Sequence, residues 1–325
     1  MNVAIALLGI ALTLFVAIEL ILRRRYGTPP LYVADDSTGY RFAPNQKIWR
    51  KGNRFQTNQY SMRSDDFELK RPPETLRVLL LGDSIANSGW WTDQSQILSQ
   101  IVQDELISLA VPSFSQLEVL NASANSWGPR NELGYVAKFG LFESQIVMMV
   151  LNTDDLFAVE PNSLLVGRAR THPTRRPLAV TELINRYRKP VEVPAFQILH
   201  DQPGDRVGEN LEAIYQLNDL VKDQKSSLLV AITPLKREVE QGSKDNEQVA
   251  RQRLQHFIQE CDIPLLDFLP FFQGEDTQTV YRDQIHLSPE GNELVGKLLA
   301  QFIQQNVTST SEVSFPSSKN YLKEH

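Results

Sequence analysis

A serine that directly follows an apolar run is the first residue whose position suggests chemistry. Gly82, Asp83 and Ser84 come after the run 77–81. A serine hydroxyl is a poor nucleophile unless a base takes its proton, and the turn beyond a buried strand is where a sheet exposes one. Gly82 permits a tight backbone approach at such a turn. Because Gly, Asp and Ser are also ordinary turn residues, the tripeptide alone is a weak signal.

A histidine near the other end of the chain could serve as the base. Asp283 precedes His286 by three positions. At this spacing, one turn of irregular backbone lets the carboxylate hold one ring nitrogen while the other faces a serine. A lone surface histidine is usually inert. His286 differs from the four other histidines because none of them has an acidic residue three positions before it: His172, His200, His256 and His325. The sequence therefore predicts Ser84, His286 and Asp283 as nucleophile, base and orienting carboxylate.

Short apolar runs alternate with amphipathic stretches over 75–306, and these elements must position the three residues. The runs are rich in β-branched residues without polar alternation, which is typical of buried parallel strands. The five predicted strands are 77–81, 117–121, 146–151, 228–233 and 263–268. The principal predicted helices are 94–109, 132–139, 209–222, 248–260 and 289–304. This pattern predicts an α/β fold, a three-layer α/β/α sandwich with a mostly parallel sheet, in which ligands bind at the carboxyl ends of the strands.

An apolar stretch at the N-terminus, residues 2–22, carries a single charge, Glu19. About 20 apolar residues at a rise of 1.5 Å cross the roughly 30 Å hydrocarbon core of a bilayer. A cleavable signal peptide is the competing interpretation, but the run is too long for one. No basic region precedes it, and no small-x-small site follows before Arg23, Arg24 and Arg25. We therefore expect a transmembrane anchor, with the membrane as a partner.

Three further segments have distinct compositions. Residues 23–74 are rich in Pro, Asp, Asn and Arg, which predicts a linker and pre-domain segment that packs on the domain as irregular strands. Residues 157–205 form a long basic insertion, interpreted as a solvated face with a short helix near 180–187. A lid, or a patch for acidic polymer or anionic lipid, is the alternative. The polar tail 307–325 is predicted to be disordered.

The net charge and the cysteine count indicate which partners and metal sites this protein is not expected to have. A net charge of -6 argues against a nucleic-acid partner, because binding a phosphate backbone needs a concentrated basic surface. The single cysteine, Cys261, excludes an intrachain disulfide and a Cys-rich metal site. We expect no cofactor or metal, and the oligomeric state stays open.

Together, these blocks resemble the SGNH (GDSL-like) hydrolase superfamily over 75–302. In that family the Ser of a Gly-Asp-Ser block is the nucleophile, and an Asp-x-x-His block completes the triad; Ser84, Asp283 and His286 match both blocks. A Gly in a second block helps form the oxyanion hole, and the segment 121–128 resembles that block with Gly128 as backbone donor. The stretch 57–64 also resembles segments that precede the catalytic block in membrane-anchored bacterial members.

The resemblance implies a flavodoxin-like topology and a serine esterase or O-acyltransferase that works through an acyl-Ser84 intermediate. An ester-bearing glycan or lipid would be the substrate. Trp90 and Trp91, just beyond the nucleophile, could wall an acyl or sugar pocket or pack against the following helix.

The third block departs from the family pattern. The family's Gly-x-Asn-Asp aligns with residues 152–155, where Asp154 replaces the asparagine that donates its amide to the oxyanion. A carboxylate only accepts hydrogen bonds, and losing one such donor lowers the rate by about 10² to 10³. Asn152 could supply the amide instead, Asp154 could be protonated, or the enzyme could be slow or inactive. We favour Asn152, beside the backbone N–H groups of Ser84 and Gly128. A catalytically silent binding or scaffold protein of the cell envelope is the alternative.

The side of the membrane on which the domain lies has two opposing signals. Arg23, Arg24 and Arg25 directly after the apolar stretch favour a cytoplasmic domain by the positive-inside rule. Anchored members of the resembled family work outside the cytoplasm, and arginines at a helix end can snorkel into headgroups on either side. We expect an extracytoplasmic (periplasmic) domain.

Overall fold

The structure, a computed structural model, describes residues 2–168, 171, 173, 178–187 and 193–309. Its strands are β1 (Tyr32–Asp35), β2 (Gly39–Phe42), β3 (Lys47–Arg50), β4 (Asn53–Gln56), β5 (Thr75–Gly82), β6 (Gln116–Ser123), β7 (Ile146–Asn152), β8 (Ser227–Thr233) and β9 (Leu265–Asp267). Its α-helices are α1 (Asn2–Tyr26), α2 (Leu98–Ser108), α3 (Pro129–Phe139), α4 (Ala179–Tyr187), α5 (Pro194–Asp201), α6 (Arg206–Asp223), α7 (Lys236–Gln241), α8 (Asp245–Glu260), α9 (Leu269–Phe272), α10 (Thr277–Val280) and α11 (Pro289–Ser309).

The central sheet has five parallel strands in the order β6-β5-β7-β8-β9. Counted along the chain this order is 2-1-3-4-5, the flavodoxin-like arrangement. Every residue of β5 and β7 is buried, which explains why these strands are apolar apart from Thr75, Arg77 and Asn152. Gly82 pairs with Ser123 on one side and Val150 on the other, so the carboxyl ends of three strands meet at one edge. The predicted α/β sandwich is confirmed.

Helices cover both faces of the sheet. Successive side chains of a strand point to opposite faces, and along β5 Leu79 and Leu81 join one hydrophobic cluster while Val78 and Leu80 join the other. The first cluster includes buried residues of α3, α6 and α8, and the second includes those of α2 and α11. This division is the three-layer arrangement that the sequence pattern predicts.

The segment before β5 forms two antiparallel hairpins, β1-β2 and β3-β4. Their aromatic side chains are buried except that of Trp49, and the rings of Phe42 and Phe55 lie 5.0 Å apart. Both residues belong to the same hydrophobic cluster as α3 and α6. These hairpins are therefore regular and share the core of the domain, where the sequence suggested irregular strands.

The structure describes α1 and parts of the insertion 157–205 and of the tail 307–325. In the insertion 157–205, α4 lies where the short helix was expected, and α5 follows it. In the tail 307–325, α11 continues to Ser309, and residues 310–325 lie outside the described residues. At the other end, Val3–Tyr26 of α1 is long and apolar enough to cross a membrane, with a mean hydropathy of 2.7 and 6% of its most apolar window buried.

Candidate active site

The turn after β5 places Ser84 at the carboxyl edge of the sheet. Gly82, the last residue of β5, has φ +157°, and a Cβ there would lie 2.5 Å from the carbonyl oxygen of Val150. Only glycine fits this close approach between neighbouring strands. Ser84 then follows Asp83 in a turn and is 7% exposed. Its hydroxyl is thus held near the surface by the strand behind it.

The loop before α11 brings a histidine to this serine. His286 Nε2 lies 3.0 Å from Ser84 Oγ, and His286 Nδ1 lies 2.9 Å from an Asp283 carboxylate oxygen. The spacing of three residues works because Asp283 also accepts the backbone N–H groups of Ile285 and His286, at 3.1 and 2.9 Å. The structure therefore brings all three predicted residues into one chain of hydrogen bonds.

The carboxylate in this chain is ionised. Burial alone would raise the pKa of Asp283, but the N–H groups of His286 and Ile285 and the imidazole outweigh it and lower the pKa. The side chain of Asp283 is 46% exposed and that of His286 is 23% exposed. A carboxylate with a lowered pKa keeps the proton on Nδ1, so that Nε2 is the acceptor that faces Ser84.

A second carboxyl group competes for the serine proton. Ser84 Oγ lies 3.1 Å from Asp83 Oδ2, and a hydroxyl has one hydrogen to donate. Burial raises the pKa of Asp83, although the backbone N–H of Ile85 and the Ser84 hydroxyl counteract part of that effect. The hydroxyl can therefore turn between His286 and Asp83.

Beneath Asp83 lie two more buried carboxyl groups, Asp155 and Glu132. Asn152 Nδ2 donates to Asp83 Oδ2 at 3.0 Å and to Asp155 Oδ2 at 2.9 Å. Burial, followed by the charge of Asp83, raises the pKa of Asp155 and of Glu132 well above their ordinary values. Neither carboxyl oxygen of Glu132 has a hydrogen-bond partner among the described residues.

The predicted oxyanion donors are bonded within the protein. Both hydrogens of the Asn152 amide have carboxylate partners, so its amide is not free for an oxyanion in this structure. The Gly128 N–H donates to Asn131 Oδ1 at 3.0 Å, where α3 begins. Asp154 is exposed and donates its backbone N–H to Asn152 Oδ1 at 2.8 Å. Desolvation of the carboxyl group by surrounding protein atoms and the charges of Glu247 and Glu238 raise the pKa of Asp154.

The sheet order places the serine after the first strand and the Asp-x-x-His segment before the last helix, at one edge. This is the arrangement that the resemblance to the SGNH hydrolases implies. No protein-family model matches this sequence, and no curated protein matches it.

Solved structures are similar to the chain at low identity and with TM-scores below 0.5. A lipase/acylhydrolase from Enterococcus faecalis is 14% identical over 71% of this chain and 96% of its own, with a TM-score of 0.43. An acetyl xylan esterase, AlAXEase, is 12% identical over 70% and 100%, with a TM-score of 0.45. A putative SGNH hydrolase from Slackia heliotrinireducens is 13% identical over 70% and 99%, with a TM-score of 0.39.

Two asparagines beside the nucleophile were not singled out from the sequence. Asn87 Nδ2 donates to the carbonyl of Asp83 at 2.9 Å and to Asn125 Oδ1 at 3.0 Å. This contact places the Asn125 side chain next to the Ser84 turn. Among the residues that the structure describes, no acceptor bonds Asn125 Nδ2, and the residue is partly exposed. Asn125 lies in the 121–128 block, which resembles the family's second block. That resemblance indicated Gly128, not Asn125, as the oxyanion donor.

Trp91 forms one wall of the site. Its ring lies 4.7 Å from that of His286 with an edge-to-face orientation, and the guanidinium of Arg282 stacks 4.4 Å from its centroid. The neighbouring ring of Trp90 lies 5.6 Å away. Of the two roles open from the sequence, the contact with His286 favours a pocket wall for Trp91.

A buried arginine from the N-terminal segment fixes the loop after the nucleophile. Arg63 is fully buried and donates to the carbonyls of Asn87, Gly89 and Thr92. Burial lowers the pKa of Arg63 to about 9, which still leaves it charged at neutral pH. The guanidinium fork satisfies three carbonyls at once, a geometry that lysine lacks. The 57–64 stretch thus supports the active-site loop directly.

Proposed function

We propose that this protein is a membrane-anchored serine esterase or O-acyltransferase that acts on an oxygen ester. The observation that carries the proposal is the hydrogen-bonded relay from Asp283 through His286 to Ser84, with distances of 2.9 and 3.0 Å. A base must lie within about 2.6–3.2 Å of the proton that it abstracts, and both distances meet this condition. A silent scaffold protein, the alternative from the sequence, has no use for this geometry.

Each residue of the relay has a defined role in the reaction. Ser84 Oγ bonds to the carbonyl carbon of the ester while its proton passes to His286 Nε2. The tetrahedral intermediate then breaks the bond to the alcohol oxygen, which leaves with the proton from His286, and the acyl group stays on Ser84. Water, or a second alcohol in the transferase case, repeats the steps and releases the acyl group. Asp283 holds the imidazole and stabilises the imidazolium.

The oxyanion requires donors that the protein does not already use. The Asn125 amide meets this requirement, because its Oδ1 is fixed by Asn87 and no described residue accepts from its Nδ2. We assign Asn125 as the side-chain donor; the backbone N–H of Ser84, the other candidate, also bonds the Asp83 carboxyl group. Asn152 then acts as a positioning residue that holds Asp83 and Asp155 beneath the serine.

The membrane link rests on α1, and the side on which the domain lies rests on the family resemblance. We assign an extracytoplasmic domain. Alkaline phosphatase and a fluorescent protein that matures only in the cytoplasm, each fused to the C-terminus, test this assignment. Active phosphatase with a dark fluorescent fusion supports it, and the opposite pair contradicts it.

Hydrolysis of p-nitrophenyl acetate by the full chain in detergent tests the reaction. Ser84→Ala should abolish turnover above background, whereas Ser115→Ala, at an exposed serine far along the chain from the site, should keep it. Added glycerol distinguishes the two reaction types, since a transferase forms a glycerol ester. Equal rates for the wild type and Ser84→Ala would contradict the proposal.

A further inference from the structure

The end of the apolar helix α1 is bonded directly to the domain. Thr28 donates its N–H to the carbonyl of Trp49 at 2.8 Å, and Lys51 donates its N–H to the carbonyl of Tyr26 at 3.3 Å. Gly27 between them has φ +66°, and a Cβ there would lie 1.9 Å from the Trp49 carbonyl oxygen. The helix therefore meets hairpin β3-β4 without a flexible linker, so its direction relative to the domain is set.

A second contact holds the same helix from the insertion. The Glu19 carboxylate accepts the N–H groups of Ala179 and Val180 at 2.7 and 3.1 Å, at the start of α4. Glu182 of α4 forms an ion pair with Arg50 of the hairpin at 2.7 Å, and both side chains are largely buried. The last turns of α1 are thus fixed on two sides.

Hairpin β3-β4 is also bonded to the segment that follows the nucleophile. Asn53 Nδ2 donates to the carbonyl of Trp91 at 2.7 Å. Arg54 pairs with Asp93 at 2.6 Å and also donates its backbone N–H to that carboxylate at 2.8 Å. The hairpin therefore connects the helix end with the loop that carries the active-site tryptophans.

A continuous row of rings and cations links the helix end to the catalytic base. The Lys51 ammonium lies 5.9 Å from the Tyr26 ring and 5.4 Å from the Trp90 ring. Trp90 contacts Trp91 at 5.6 Å, and Trp91 contacts His286 at 4.7 Å. This row of contacts thus connects His286 with the end of α1 along one side of the domain.

This side of the domain has the composition of a membrane-interface surface. Trp49, whose carbonyl bonds the residue after α1, has a 61% exposed side chain. Ile184 on α4, the helix packed against α1, is 50% exposed. The last turn of α1 carries Arg24 and Arg25, next to Arg23, which pairs with Glu19 at 2.6 Å. Exposed Trp at the end of an apolar helix and basic residues that reach phosphates are typical of the headgroup region.

We propose that the active site faces the bilayer that α1 crosses and takes its ester from the membrane–water interface. The substrate class is an amphiphilic lipid ester whose apolar chain stays in the bilayer while its ester group reaches Ser84 past Trp91. This inference rests on the proposed function and specifies its substrate class. A soluble ester-bearing glycan is the outcome that would oppose it.

The placement is measured without any activity. Full-length protein in nanodiscs is compared with Trp49→Phe, using lipids that carry a nitroxide quencher at headgroup depth. The quenched fraction of tryptophan fluorescence should be larger in the wild type than in Trp49→Phe, because Trp49 is 61% exposed, whereas Trp90 and Trp91 are partly buried and Trp127 is buried in the core. Equal quenching in both proteins would place Trp49 in water and overturn the inference.

The substrate class is measured in the same nanodiscs with two esters, a fluorogenic diacyl lipid in the bilayer and p-nitrophenyl acetate in solution. Trp49→Ser should lower the ratio of lipid-ester to soluble-ester turnover about tenfold, the factor that corresponds to 1.4 kcal/mol. Tyr215→Ser, at a 44% exposed aromatic on α6, is the matched control and should leave the ratio unchanged. An unchanged ratio in Trp49→Ser, or no turnover of the lipid ester beside turnover of the soluble ester, overturns the inference. Loss of both activities in the wild type would instead contradict the proposed function.

Discussion

His286 Nε2 lies 3.0 Å from Ser84 Oγ, although 202 positions separate the two residues in the chain. One residue follows the first strand of the parallel sheet, and the other precedes α11. The fold thus brings a base from the C-terminal part of the domain to a serine in its N-terminal part.

The two residues behind the nucleophile should contribute unequally to the rate. His286→Ala removes the base, and we expect kcat for p-nitrophenyl acetate to fall by about 10⁴ or more. Asp283→Asn keeps the shape but loses the charge that stabilises the imidazolium, and its loss should be smaller because Asp283 is 46% exposed. Steady-state kinetics of both variants at pH 8 measures this order. A larger loss in Asp283→Asn would contradict the assigned roles.

Asn125→Ala tests the assigned oxyanion donor. Losing one donor of this kind lowers kcat by about 10² to 10³, and KM should change little because the interaction forms in the transition state. Asn162→Ala, at another partly exposed asparagine, serves as the control and should retain the wild-type kcat. A wild-type kcat in Asn125→Ala would remove this residue from the mechanism.

Asp154→Asn restores the residue type of the family pattern at the third block. Asp154 is exposed. Its backbone N–H, and not its carboxylate, forms the hydrogen bond to Asn152 in the site. A surface change of this kind shifts energies by about 0.5 kcal/mol or less, so kcat/KM should stay within about threefold of the wild type. An increase of 10²-fold would show that the Asp154 carboxylate hinders the oxyanion.

Glu132→Gln should change how stability depends on pH. Burial raises the pKa of Glu132 well above its ordinary value of 4.5, so the folded state binds this proton more tightly than the unfolded state. The stability that the protonated group provides is therefore present below pH 4.5 and is lost as the pH rises through the folded-state pKa. The neutral amide has no such loss.

We expect the free energy of unfolding of Glu132→Gln to exceed that of the wild type by about 1–3 kcal/mol at pH 8, with a smaller difference at pH 5. Urea unfolding of the full chain in detergent at both pH values measures it. Asp83 and Asp155 should keep part of the pH dependence, because burial raises their pKa values too. A variant that loses stability as steeply as the wild type between these pH values would contradict the prediction.

The sheet could be predicted from the sequence because its strands are buried on both faces. Apart from Thr75, Arg77 and Asn152, the residues of β5 and β7 are apolar or glycine, and such runs stand out from the amphipathic helices between them. Hairpins β1-β2 and β3-β4 could not be predicted from the sequence. Each of their strands has only four residues and mixes charged with aromatic side chains. Their burial depends on the aromatic cluster that they join in the folded state.

The part of the site that could be predicted is the part in which residues of suitable chemistry lie close together in the chain. Asp283 and His286 are three residues apart, so one loop determines their contact. The partners of Asn152 could not be predicted, because one of them, Asp83, lies 69 positions away in the chain. The spacing of the residues gave no sign that the Asn152 amide is already bonded. Asn87 and Asn125 were missed for the same reason, since their pairing needs the neighbouring ends of β5 and β6.

The most direct test of the account is covalent labelling of the nucleophile. The full-length protein in detergent is treated with a fluorophosphonate probe, and the modified peptide is identified by mass spectrometry. We predict a single adduct on Ser84 that is absent in Ser84→Ala, slowed by about 10³-fold or more in His286→Ala, and unchanged in Ser115→Ala. No adduct on the wild type, or an adduct that persists at the wild-type rate in Ser84→Ala, would contradict the assignment of Ser84 as an activated nucleophile.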